Sequence, residues 1–130
     1  MMVLNTAYLF QLQLRAQRYT SQIRSLYTLR WVAILSKKMR CDISASTGVY
    51  TADDVVKMLL AGATTVQVVS SLYKNGIGTI AQLNQGLNAW MEKKGYNSLS
   101  QFRGKLAVQP NDKASVAMRT QFMKYFAEIV

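Results

Sequence analysis

Histidine is absent from this 130-residue chain, and cysteine occurs once, at Cys41. The first absence removes the commonest general base and the commonest metal ligand. No Ser-His-Asp triad can be assembled from these residues, and no metal site or catalytic residue is assigned. A single cysteine forms no intramolecular disulfide and fits a reducing, cytoplasmic compartment. Proline also occurs once, at Pro110, and glycine only seven times, which excludes a collagen-like or low-complexity chain. Acids are scarce: 6 Asp and Glu face 16 Lys and Arg, for a net charge of +10. None of the acids precedes Asp42, so the excess lies mostly on Arg15, Arg18, Arg24, Arg30, Lys37, Lys38 and Arg40. No apolar run reaches the roughly 18 residues of a membrane span, so no membrane partner is expected. The opening "MMVLNTAYLFQLQLRAQRYT" has no basic region ahead of its apolar block and no small-residue cleavage pattern, which makes it a poor secretory signal.

What is present suffices for one domain with a core: half of the residues are hydrophobic. Residues 22–38 carry Ile23, Leu26, Leu29, Trp31, Val32, Ile34 and Leu35 near helical spacing, with bases on the other face. "CDISAS" alternates Cys41, Ile43 and Ala45 and reads as a short buried strand. Thr51 is an N-cap with Asp54 three residues on, close to a capping box, and a helix follows to Gly62. "TTVQVVSSLY" is rich in β-branched residues and reads as a strand covered on both faces, followed by a turn at "KNGIG". "TIAQLNQGLNAWMEKKG" places Ile80, Leu83, Leu87 and Trp90 on one helical stripe and ends at Gly95. A last helix is expected over "ASVAMRTQFMKYFAEIV". The order from residue 22 is αβαβα, the grammar of a parallel α/β sheet. Two strands make no stable sheet alone. They extend a larger sheet, pair with a second copy in a homo-oligomer, or belong to a truncated chain.

Parallel α/β folds bind ligands at the carboxyl ends of their strands. The two such ends here are Ser46-Thr47-Gly48 and Val69-Ser70-Ser71. Both offer small residues and hydroxyls ahead of a helix, where main-chain N–H groups and the dipole favour an anion. Two adjacent ends of this kind match the phosphate site of a (β/α)8 barrel, built after its last two strands. Lys57 and Lys74 are candidate counter-charges, although lysines in such positions are usually just solvated. Cys41, Trp31, Trp90 and the methionines read as core, and Asp53 and Asp54 as servants of a helix N-terminus.

The segments "TLRWVAILS", "CDISASTGVYTADDVVKMLLAGATTVQVVSSLYKNG", "GLNAWMEKKGYNSLSQFRGKL" and "RTQFMKYF" together resemble the C-terminal part of a dihydroorotate dehydrogenase, over about residues 22–128. The resemblance implies an α/β fold: the last two βα units of a (β/α)8 TIM barrel, with a preceding helix and a C-terminal helix. It implies residues 41–46 as the seventh strand and 64–70 as the eighth. It divides the chain into an unassigned basic segment, 1–21, and a barrel part, 22–130. It implies FMN as cofactor and, in the full-length enzyme, oxidation of dihydroorotate to orotate in pyrimidine biosynthesis. In the family a glycine pair after the seventh strand gives N–H groups to the FMN phosphate; here the pair reads Thr47-Gly48. After the eighth strand a frequent Gly-Thr reads Val69-Ser70. Thr47, Gly48, Val69 and Ser70 are therefore the expected cofactor-binding residues. The family's cysteine or serine base would lie upstream of residue 22, and neither Cys41 nor any serine here is assigned to it. A complete barrel takes about 250 residues, so the chain reads as a fragment, inactive alone.

Two other readings compete. The acid-free residues 1–40 suit a small basic nucleic-acid-binding module, which would show steep salt dependence. No interleaved aromatic and basic stacking platform accompanies them, so no nucleic-acid partner is expected. The other is a non-functional fragment with exposed strand edges, prone to self-association.

Overall fold

The computed structural model describes residues 23–109. The expected segment 1–21 and the expected last helix lie outside them. Helix α1 covers 23–35; strand β1, Ser44–Ala45; helix α2, Ala52–Ala61; strand β2, Thr65–Val66; helix α3, Ser70–Asn75; and helix α4, Gly78–Lys94. A 3-10 turn follows at Leu99–Gln101. No helix among the described residues is long and apolar enough to cross a membrane.

β1 and β2 pair in parallel, with Ser44 opposite Thr65 and Ala45 opposite Val66. Parallel neighbours require a crossover, and α2 supplies it, giving one βαβ unit inside the expected α/β order. The pairing continues past the strands: Gln67 N–H donates to the Ala45 carbonyl at 2.7 Å, and Thr64 N–H to that of Ile43 at 2.8 Å. Both strands are shorter than the spans expected from the sequence, 41–46 and 64–70. The first correction is Cys41, which is exposed and precedes the sheet. The second is "SSLYKN", which is helix α3 and neither strand nor turn. The β-branched run stops at Val69, and no residue of Ser70–Asn75 is β-branched.

α2 behaves as its residues dictate. The Asp54 carboxylate accepts from Thr51 N–H at 3.0 Å, while the Thr51 hydroxyl oxygen accepts from Asp54 N–H at 3.3 Å, closing the capping box. Gly62 ends the helix at φ +115, where its N–H reaches the carbonyls of Leu59 and Met58. α4 runs to Lys94 and ends on left-handed Gly95, as its sequence requires.

The core gathers Val32 and Ala33 from α1, Ala45 from β1, Met58 and Ala61 from α2, and Ala63, with Leu29, Ile43, Val66 and Val108 packed against it. The segment after α4 folds back beneath α2 and α1. Gly104 N–H donates to Leu59, Leu106 N–H to Leu60 and Val108 N–H to Ala33, using carbonyls of the last turns of α2 and α1. Phe102 is fully buried there, with its ring centroid 5.0 Å from Trp90 and 5.3 Å from Tyr96. Trp31 departs from expectation: it is half exposed, because α1 turns Val32, Ala33 and Ile34 inward instead.

Two stability measurements test this packing. Thr51→Ala should lower the unfolding free energy by about 1 kcal/mol, and Thr51→Ser should restore most of it. Urea titration reads both, and an unchanged midpoint for Thr51→Ala would contradict the cap. Phe102→Ala should cost about 3–5 kcal/mol through the cavity it leaves among the three rings. A loss below about 1 kcal/mol would mean that this cluster does not close the core.

Candidate functional site

The carboxyl ends of β1 and β2 lie side by side because the strands are parallel and in register. Residues 46–50 after β1, and Gln67, Val69 and Ser70 after β2, line one cleft of about 510 Å³. Thr47, Gly48, Val69 and Ser70, the four residues singled out from the sequence, all line it. So do Ser46 and Tyr50.

The loop after β1 has an uncommon backbone. Thr47 takes φ +83 and Gly48 φ +78, two left-handed residues in succession. Glycine adopts this region freely, but a β-branched residue is strained there by roughly 1–3 kcal/mol. Thr47 is the only described non-glycine residue with positive φ. Strain of this kind persists only where surrounding contacts enforce the loop, and α1 enforces it here. The Thr28 hydroxyl donates to the Ser46 carbonyl at 3.0 Å. A Cβ placed on Gly48 would lie 2.7 Å from the Ser25 main-chain nitrogen and 2.9 Å from its Cα. Position 48 thus requires glycine twice, for its φ and for the approach of α1.

The turn leaves main-chain donors unused. Among the described residues, Thr47, Gly48 and Val49 N–H groups donate to no protein acceptor. The next two are occupied: Tyr50 N–H and Thr51 N–H donate to Asp54 Oδ2 at 3.1 and 3.0 Å. This corrects the expectation that helix dipoles assist at both loops. The start of α2 already holds its own carboxylate, and α3 has six residues, too few for a substantial dipole. What remains at the first loop is the run of N–H groups at 47–49, which meet no acceptor among the described residues. At the second, Val69 is two-thirds exposed and Ser70 is exposed, whereas Ser71 is fully buried and accepts from the Asn75 side chain at 3.5 Å.

The side-chain charge of the cleft was only half visible in the sequence. Lys74 lines it, with Nζ 5.5 Å from the centroid of the Tyr50 ring. Lys57 is exposed on α2 and does not line it. Arg24, from α1, does line it. No local motif marks Arg24, since it stands 23 positions before Thr47 and meets the loop only through tertiary packing. No Asp or Glu appears among the lining residues.

Comparison with known proteins agrees with the motifs. The family model described as dihydroorotate dehydrogenase matches residues 21–91. The dihydroorotate dehydrogenase (fumarate) of Lachancea kluyveri is 45% identical over 64 residues, which are 49% of this chain and 20% of that protein. A probable dihydroorotate dehydrogenase A (fumarate) of Streptococcus pneumoniae strain R6 is 42% identical over 64 residues, 49% of this chain and 21% of its own length. The catalytic subunit of dihydroorotate dehydrogenase B (NAD(+)) of Pyrococcus furiosus is 32% identical over 76 residues, 58% of this chain and 25% of that subunit. The matched part is thus a fifth to a quarter of each relative. With a family match over more than half of its length, on the segment that builds the cleft, the chain belongs to the dihydroorotate dehydrogenase family.

Proposed function

We propose that this chain carries the phosphate-binding end of an FMN site in an oxidoreductase of pyrimidine biosynthesis that oxidises dihydroorotate to orotate. The single observation that supports it most is the meeting of two strand ends in one cleft whose described lining holds no Asp or Glu, with N–H groups at Thr47, Gly48 and Val49 that meet no acceptor among the described residues. A phosphate monoester carries up to two negative charges and several acceptor oxygens, and needs such donors without a competing carboxylate. The left-handed Thr47-Gly48 pair carries two of them, and Val69 and Ser70 border the same space. The residues therefore fit the phosphate end of the cofactor. When bound, FMN supplies the electron-accepting ring; this chain's own residues hold and neutralise its phosphate.

In this reading β1 and β2 are the seventh and eighth strands of a (β/α)8 barrel, residues 22–130 are its C-terminal part, and 1–21 stay unassigned. The substrate-facing base and the ring contacts belong to earlier strands. The isolated 130-residue chain should then bind FMN through its phosphate and leave dihydroorotate unoxidised.

Three measurements test this. Thr47→Asp should weaken FMN binding at least tenfold, about 1.4 kcal/mol, because a carboxylate would face the phosphate. Equal affinity in a fluorescence titration would count against the site. Thr47→Gly should raise stability by roughly 1 kcal/mol by relieving the left-handed strain, with FMN affinity kept. A destabilised Thr47→Gly protein would show that the loop is not strained. Finally, dihydroorotate turnover by the purified chain would overturn the assignment of the base to other strands.

A further inference from the structure

A main-chain cradle uses neither of the two cations in the cleft, and both arrive there by tertiary packing. Arg24 is carried in by α1, whose backbone at the adjacent Ser25 closes on Gly48. Lys74 comes from α3, and the Tyr50 ring beneath its ammonium favours that position by a cation–π contact. Of the two carboxylates that follow the loop, Asp54 is engaged by Tyr50 N–H, Thr51 N–H and the Thr51 hydroxyl, and the exposed Asp53 does not line the cleft. Two full positive charges thus line the same cleft as the N–H groups of 47–49, with no acid among its described lining residues. Such an arrangement rewards each added negative charge on a ligand.

We infer that Arg24 and Lys74 are the charge-selecting residues of this cleft: they make it accept a phosphate monoester dianion and reject the same compound without its phosphate. This rests on the phosphate reading of the cleft given above and goes beyond it, because it assigns part of the preference for a dianion to two side chains that the main-chain cradle does not use. The two cations divide the work by their chemistry. Arg24 offers a planar fork to two phosphate oxygens, while Lys74 acts as a point charge.

The test is calorimetric titration of the full 130-residue chain with FMN, riboflavin and inorganic phosphate, for the native sequence and for Arg24→Gln, Lys74→Gln, Lys74→Arg and Thr47→Asp. Both cations lie outside the core, so the variants should fold, and circular dichroism checks that they do. Native protein should bind FMN far more tightly than riboflavin, with inorganic phosphate competing. Arg24→Gln and Lys74→Gln should each weaken FMN roughly 5- to 20-fold, leave riboflavin unchanged and flatten the salt dependence. Lys74→Arg should keep native affinity. If both glutamine variants bind FMN normally while Thr47→Asp does not, the charge-selecting role is overturned and the main-chain cradle stands. If FMN and riboflavin weaken equally, the residues shape the cleft without selecting charge, and the inference fails. If native protein binds neither FMN nor phosphate, the inference and the phosphate reading fall together.

Discussion

The parallel pairing of β1 with β2 is the constraint from which the rest follows. It is only two residues long in each strand, extended by the hydrogen bonds at Thr64 and Gln67. Parallel direction puts both carboxyl ends on one edge and forces a helix to cross over. That helix, α2, brings Met58 and Ala61 onto Ala45 and so supplies much of the core. Had the strands been antiparallel, the loops at 46–50 and 67–70 would lie at opposite ends of the sheet, and no shared cleft would exist.

The second constraint is the contact between α1 and the loop after β1. The Thr28 hydroxyl grips the Ser46 carbonyl, and Ser25 leaves no room for a side chain at position 48. These contacts hold Thr47 in a conformation it would otherwise avoid. Strain maintained by packing is a usual companion of binding loops. The same approach carries Arg24 into the cleft. One helix therefore shapes the turn, holds its strain and delivers a charge. At its far end the helix serves stability, where the Ser36 hydroxyl donates to the Ala61 carbonyl at 3.1 Å.

Local rules made several elements legible from residues alone. Thr51 and Asp54 announce the start of α2, and Gly62 and Gly95 end α2 and α4 in the left-handed region. These features act within one helical turn, so sequence suffices. Cys41 and Trp31 were misread as core because periodicity says which residues could share a face, while tertiary packing decides how far that face is covered. α3 was missed because "QVVSSLYKN" begins as an apolar run with no breaker before the helix, and short apolar runs leave strand and helix indistinct.

At the site the same division holds. Ser46-Thr47-Gly48 and Val69-Ser70 could be found from sequence, because small residues after a strand are a local pattern and the TGV, LLAGA and SLYKNG motifs repeat a family order. Their meeting in one cleft, the occupation of the start of α2 by Asp54, and the arrival of Arg24 and Lys74 were decided by tertiary structure. Sequence by itself determined the alternation of α1, β1, α2 and β2, the caps of α2 and α4 and the candidate loops, since each depends on residues within a few positions of one another. Only the fold decided which charges face those loops. Charge at a site depends on distance through space, and residues 24, 47 and 74 become neighbours only when α1, β1 and α3 pack together.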